Sequence, residues 1–221
     1  MDSASSNWAH CLDYAAASEV GLRRANNQDS YAVVLADSQT TWQKRGHLFM
    51  VADGMGAHAA GELASKMATN TVTHTYSKRS DIPPPAALHA AILDANTQIH
   101  RRGEASLDFK GMGTTGTVLV LLPQGGIVAH VGDSRAYLLR SSKLLLLTRD
   151  HTTINAMMER GLGEEDEDTL FEHRGKLTRY AGMGERMAKY RAARLAKLKE
   201  TLGIAPEQEA AWSAFVARTT P

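Results

Sequence analysis

The chain has 221 residues, 43% of them hydrophobic and 22% charged, enough to bury a core as one domain or one domain with a short appendage. Lys and Arg number 25 against 24 Asp and Glu, a net charge of +1, which excludes nucleic-acid binding by bulk positive charge. The one cysteine, Cys11, excludes an intrachain disulfide framework and a cysteine-based zinc site.

The first 21 residues lack a basic stretch followed by an apolar one, so they do not read as a secretory signal. Apolar runs such as Leu144 to Leu147 fall far short of the ~20 residues that span a bilayer. The expectation is a soluble cytoplasmic protein with neither a membrane nor a nucleic acid as partner.

Short β-rich runs come first: Tyr31 to Ala36 and His47 to Ala52, the second followed by an aspartate. Two helical stretches follow. Ala60 to Tyr76 carries Leu63, Met67 and Val72 at roughly helical spacing, and Pro85 to Arg102 carries Leu88, Ile92, Ala95 and Ile99. Pro83 and Pro84 break the chain ahead of the second, and a proline in the first turn is tolerated. Strand-like runs then resume at Thr115 to Leu122, Ile127 to Val131, Ala136 to Leu139 and Lys143 to Thr148. The gaps at Pro123 to Gly126 and Arg140 to Ser142 are hairpin-like, favouring antiparallel meanders over parallel crossovers. The fold class is α+β.

The composition changes past residue 158. Glu159 to Glu172 holds seven acids and one arginine, and Glu185 to Pro221 holds seven Lys/Arg and four Glu. Met187, Tyr190, Leu195, Leu198 and Leu202 mark one helix with Gly203 as its stop. A second opens at Pro206 and shows Ala211, Trp212, Phe215 and Val216 on one face. The chain therefore divides into residues 1–184 and a helical-hairpin tail, 185–221.

Five segments could carry chemistry: Gly21 to Ser30 (GLRRANNQDS), Val51 to His58 (VADGMGAH), Gly111 to Gly116 (GMGTTG), Val131 to Tyr137 (VGDSRAY) and Leu147 to His151 (LTRDH). Any one alone reads as a turn. Asp53, however, ends an apolar strand and is followed by Gly54 and Gly56, which let backbone oxygens approach a cation. A carboxylate on a rigid strand end suits a hard divalent ion. Asp29 and Asp133 sit beside other strands. Arg24 can offer a forked guanidinium to a phosphate, or form a local surface bridge with Asp29. Aspartates with one forked arginine point to metal-assisted phosphoryl chemistry.

In this order the five segments resemble the metal-dependent protein phosphatases of type 2C in their bacterial form. A weaker likeness continues through Thr178 to Gly182 (TRYAG). The resemblance implies a β-sandwich of two antiparallel sheets flanked by helices, with two Mg²⁺ or Mn²⁺ ions that activate a water against phosphoserine or phosphothreonine. It implies that Asp53 bridges the metals and that Gly54 lends its carbonyl to one of them. Arg24 would bind phosphate, Asp133 would serve a third, weaker metal, and Asp29 would lie next to the metals. Gln28, His58 and His151 would stand behind these groups. Asp53, the Gly54 carbonyl and Asp133 are expected to converge on one acidic cleft. Phosphorylated proteins of a Ser/Thr kinase pathway would be the partners.

Three departures from the family pattern matter. Gln28 replaces a usual Glu, and Ala57 replaces a usual Gly. The family's later Asp-Gly and Asp-Asn motifs, which supply further metal aspartates, have no counterpart: after His151 the only aspartates are Asp166 and Asp168, in an acidic run. The phosphatase-like part thus reads as incomplete at its C-terminal end, and the expected activity of this chain is impaired. The alternative is a non-catalytic phosphoprotein-binding or regulatory module on the same fold. The tail resembles the LTxxQ-motif family of periplasmic helical hairpins linked to envelope stress, with Ala205 where a capping Thr is usual, or else is a generic amphipathic hairpin. A stress-response binder carried by that tail is a third reading.

Overall fold

The computed structural model describes residues 12–22, 25–57, 59–153, 155 and 177–183. The expected helices of 185–221 and the acidic run lie outside them, as do Arg24 and His58.

Two antiparallel sheets form among the described residues. The larger has five strands: β1 (Asp29–Val34), β2 (His47–Met55), β3 (Gly113–Thr114), β4 (Gly116–Leu122) and β5 (Gly125–Val131). Its order is β1-β2-β4-β5, with β3 pairing with the end of β2. The smaller is a hairpin of β6 (Tyr137–Arg140) and β7 (Lys143–Leu146). The antiparallel meander expected from the close strand spacing is present in β4-β5 and β6-β7. The first turn is tighter than the sequence implied: Leu122 pairs with Gly125, so Gly125 and Gly126 belong to β5. In the second, Ser141 and Ser142 take φ of 49° and 60°, the positive values that a two-residue hairpin turn demands.

Alternation along the strands assigns the two faces of the large sheet. Leu48, Met50 and Ala52 of β2 and Val118, Val120 and Leu122 of β4 are buried on one face. They pack against α2 (Ala60–Lys78) and α3 (Pro84–Glu104) in a single core. The α2 seam is Ala60, Ala64, Ala68, Val72 and Tyr76, all buried; the expected Leu63 and Met67 only flank it. Small residues at every fourth position let α2 lie close to the sheet, a signal that large-residue spacing does not carry. The α3 seam runs through Leu88, Ala91, Ala95 and Ile99.

A further element goes unannounced by apolar spacing. α1 (Gln39–Lys44) is a single short helix, started by Ser38, whose hydroxyl accepts from Thr41 N at 3.1 Å. Thr41 Oγ1 in turn donates to Asp37 at 2.7 Å, which holds that carboxyl below its usual range. Among the described residues, no helix is long and apolar enough to cross a membrane.

Candidate active site

The candidate site lies on the sheet face turned away from the helices. The β1–β2 register sets Asp29 directly opposite Asp53, so both carboxylates share that face, their Cβ atoms ~5 Å apart. Two like charges in that relation repel, and the position calls for positive charge.

The backbone of Asp53 is fixed on all sides. Its N–H donates to Thr115 Oγ1 at 2.9 Å. Its carbonyl accepts from Thr114 Oγ1 and from Thr115 N, both at 2.9 Å. With the main chain held by these bonds, the strand fixes the point from which the carboxylate projects. Gly54 is fixed by close packing: a Cβ there would lie 2.0 Å from Gly61 O and 2.6 Å from Gln28 O. The first turn of α2 therefore rests directly on the strand end. Gly54 N donates to Gln28 O at 3.1 Å, and Ser65 Oγ of α2 donates to the same oxygen at 2.6 Å.

Asp133 arrives from the other side, on the loop after β5. Gly132 has φ +109°, and a Cβ there would meet Thr115 Cγ2 at 2.6 Å, so only glycine lets this loop press on the β3–β4 junction. Ser134 Oγ shares a 2.7 Å bond with Thr115 Oγ1. His151 clamps the loop from behind: its N–H donates to Gly132 O at 2.7 Å, and its Nδ1 accepts from Gly132 N at 3.2 Å. The His151 ring also stacks on His130, centroids 5.0 Å apart. Arg135 forks onto Asp150 with bonds of 2.6–3.1 Å, which lowers the Asp150 pKa.

A cavity of about 470 Å³ results, lined by Gln28, Asp53, Gly54, Thr115, Asp133 and Tyr180 among others. Asp29 stands across from Asp53 but does not line it. Tyr180 was not singled out from the sequence. It reaches the site because Ala181 bridges to Thr114 and because Asn96 Oδ1 of α3 accepts from Gly182 N and Met183 N at 2.8 and 3.1 Å. Gly113 makes room for the ring, since a Cβ there would lie 2.5 Å from it. Thr115 and Ser134 were also missed as individuals, although both fall inside the quoted motifs. The signal was the unbroken small-residue run of Gly113 to Gly116.

Oxygen donors dominate the cavity, the chemistry that hard divalent cations prefer. Among the described residues, however, no three His, Cys, Asp or Glu side chains come together as a metal-holding group. Asp53 and Asp133 are the carboxylates that line it among the described residues.

The protein phosphatase 2C family model matches residues 23–174. The serine/threonine protein phosphatase PstP of Mycobacterium tuberculosis is 38% identical over 150 residues, which is 68% of this chain and 27% of PstP. The crystal structure of the serine/threonine phosphatase Stp1 from Staphylococcus aureus superposes with a TM-score of 0.64 at 28% identity, covering 76% of this chain and 65% of that one. The catalytic domain of PstP in complex with two manganese ions superposes with a TM-score of 0.58 at 34% identity, covering 77% of this chain and 66% of that one. The chain thus spans about two thirds of those solved chains and about a quarter of full-length PstP. With the strand-end aspartate, the glycine-pinned Asp133 loop and the sheet-on-helices core in one frame, the chain belongs to the protein phosphatase 2C family.

Proposed function

We propose that the chain is a metal-dependent protein serine/threonine phosphatase domain, acting on phosphoserine or phosphothreonine in phosphorylated proteins of a kinase pathway, in the cytoplasm. The observation that carries this reading is the shared cavity of Asp53, Gly54 and Asp133 in a chain that matches the family over residues 23–174. Mg²⁺ or Mn²⁺ is the proposed cofactor, held by the Asp53 and Asp133 carboxylates and the Gly54 carbonyl, with Asp29 adding negative charge. Such an ion supplies a Lewis acid and a water that ionises near neutral pH.

The protein's own part is orientation and charge. β2 and the Thr114–Thr115 pair hold Asp53 still. Gly132 and His151 hold the loop that carries Asp133. Gln28 offers a neutral amide at the cavity wall, able to bond a water but adding no charge. Arg24, a few residues ahead of Asp29, is proposed to fork onto the phosphate. The family's later Asp-Gly and Asp-Asn motifs have no counterpart in this sequence, and on that ground slow turnover by this chain is part of the proposal. The same lack favours the second reading, a module that binds phosphoproteins without hydrolysing them.

The test is Mn²⁺ titration and phosphothreonine-peptide hydrolysis by the purified chain beside Asp53→Asn, Arg24→Ala and Arg23→Ala. One Mn²⁺ bound, slow hydrolysis abolished in Asp53→Asn, and a larger loss for Arg24→Ala than for Arg23→Ala are expected. Peptide binding without hydrolysis selects the second reading. Two tightly bound ions with rapid turnover overturn the single-ion assignment.

A further inference from the structure

The wall of the Asp53 cavity carries a second chemistry. Beside its oxygen donors stand Met55, Leu177 and Tyr180, each only partly buried. Hard cations and phosphoryl oxygens gain nothing from such groups. Their placement follows from the strand. Asp53 and Met55 are two residues apart in β2, so their side chains leave the same face about 6.6 Å apart.

The Tyr180 ring joins Met55 by register. Met55 pairs with Gly113, and paired residues turn their side chains to one face. Gly113 has no side chain, and a Cβ there would lie 2.5 and 2.6 Å from two carbons of the Tyr180 ring. The ring therefore takes the place that a side chain at 113 would fill. Its backbone is held at each step. Tyr180 N donates to Met183 Sδ at 3.2 Å. Ala181 exchanges two backbone bonds with Thr114, at 2.8 and 3.1 Å. Asn96 Oδ1 takes Gly182 N and Met183 N. A fixed ring next to a thioether makes an ordered apolar surface. Leu177, bridged to Thr152, completes it.

The cavity of about 470 Å³ falls in the range of clefts that take whole small molecules, ~300–1,000 Å³. A phosphoryl group at Asp53 thus leaves room for another side chain. An extended peptide repeats each face every second residue, with the same spacing of about 6.6 Å. A chain running along β2 with its phosphorylated residue at Asp53 brings the side chain two positions away to Met55 and Tyr180. The side chain next to the phosphorylated residue turns to the opposite face.

We propose that Met55, Leu177 and Tyr180 form a specificity subsite. It selects phosphorylated chains that carry a large apolar residue two positions from the phosphorylated one. The proposal rests on the phosphatase reading of the Asp53 site and names the class of phosphoprotein that this site takes.

The experiment is calorimetric titration of the 221-residue chain, with Mn²⁺ and with chelator. The titrants are phosphothreonine-peptide analogues in which a methylene replaces the ester oxygen, so that none is hydrolysed. One peptide carries leucine at both second positions, one at both adjacent positions and one at neither, with serine elsewhere. Leucine at the second positions is expected to tighten binding about tenfold, and leucine at the adjacent positions to add nothing. Tyr180→Ala and Met55→Gln each remove most of the gain. Met55→Gln keeps the side-chain length and leaves the Tyr180 backbone bonds in place, so it tests the subsite even where Tyr180→Ala unfolds the chain. Tyr180→Phe keeps the gain, because the ring and not the hydroxyl forms the wall. Mn²⁺-dependent binding that is equal for the three peptides overturns the subsite and leaves the phosphatase reading standing. A second-position gain that needs Tyr180 but neither Mn²⁺ nor Asp53 supports the subsite and overturns the metal reading. A gain as large at the adjacent positions, or one retained in both Tyr180→Ala and Met55→Gln, overturns the proposal. Binding of none of the peptides overturns both.

Discussion

The two faces of the five-stranded sheet are made from the same strands and are built to opposite ends. On one, Met50, Val118 and Val120 are closed under α2 and α3. On the other, Tyr31 and Val51 are each 48% exposed, and the row beyond them carries Asp29 and Asp53. Because side chains alternate, one residue of register separates core from site. The closed face supplies stability, and the open face can then carry paired carboxylates that oppose it. The comparison predicts that substitutions on the two faces differ in size and, in one case, in sign.

The largest effect belongs to the closed face. Ile99, fully buried in the α3 seam, leaves a cavity on truncation. Ile99→Ala is expected to cost about 2–5 kcal/mol in urea unfolding while changing Mn²⁺ affinity little. A loss of metal affinity larger than the loss of stability would show that the faces are not separable.

Next come the glycines where the faces meet. Gly132→Ala drives a Cβ to within 2.6 Å of Thr115 Cγ2 at φ +109°. It is expected to cost about 1–3 kcal/mol and to weaken Mn²⁺ binding, because the loop carrying Asp133 must lift off Thr115. Unfolding and Mn²⁺ titration of the same preparation check both. A variant that loses stability but keeps its Mn²⁺ affinity would mean that the Gly132 contact does not position Asp133.

Much of the closed face is legible in sequence, and its physical reason is periodicity. The apolar runs His47 to Ala52 and Thr115 to Leu122 survive within β2 and β4, and the Leu88/Ile99 spacing survives as α3. Two features escape. α1 is held by a Ser38 cap and a Thr41–Asp37 bond, local polar chemistry with no apolar stripe. The first half of the α2 seam is Ala60, Ala64 and Ala68, and alanine carries little hydrophobic contrast. At the site, motif context brings Asp53, Gly54, Gln28 and Asp133 to one cavity. Composition could not reveal that Thr115 ties the Asp53 strand to the Ser134 loop, because that link spans 62 residues of chain in one bond and 19 in the next. Nor did it place Tyr180, which depends on Asn96 of a helix.

The open face carries the change of sign. Asp29 and Asp53 repel across the β1–β2 pair, so Asp29→Asn is expected to raise the stability of chelator-treated protein by about 0.2–1 kcal/mol and to weaken Mn²⁺ binding. Thermal unfolding with chelator and with Mn²⁺ reads the two parts separately. A loss of stability in the absence of cation would mean that Asp29 serves the fold rather than the site.

The smallest effect is a pH dependence, again confined to the open face. His130 pairs with Thr117 across β4–β5 and shares a 2.9 Å bond with its Oγ1 through Nδ1. Its Nε2 is buried and finds no partner. Burial pushes the His130 pKa down, against the opposing pull of the Gly132 and Arg149 backbones and of the Asp150 and Asp133 charges. The folded ring therefore takes a proton less readily than the unfolded one, whose pKa is near the ordinary ~6.5. The stability gained from a neutral ring is complete above that value and is lost as pH falls from there through the folded pKa. The slope is a fraction of the about 1.4 kcal/mol per pH unit that a whole proton gives, because the ring is half-exposed and screened. His130→Phe keeps an aromatic face for His151 and removes the titration, while Thr117 Oγ1 retains its 3.1 Å bond to Ser134 O. Urea unfolding of chelator-treated protein at pH 7 and pH 5 is expected to show a steeper loss for the parent chain than for the variant. Equal slopes would place the acid sensitivity on other groups; the Asp150 carboxyl is not one of them, because its lowered pKa puts its own loss below the ordinary aspartate range and outside this window.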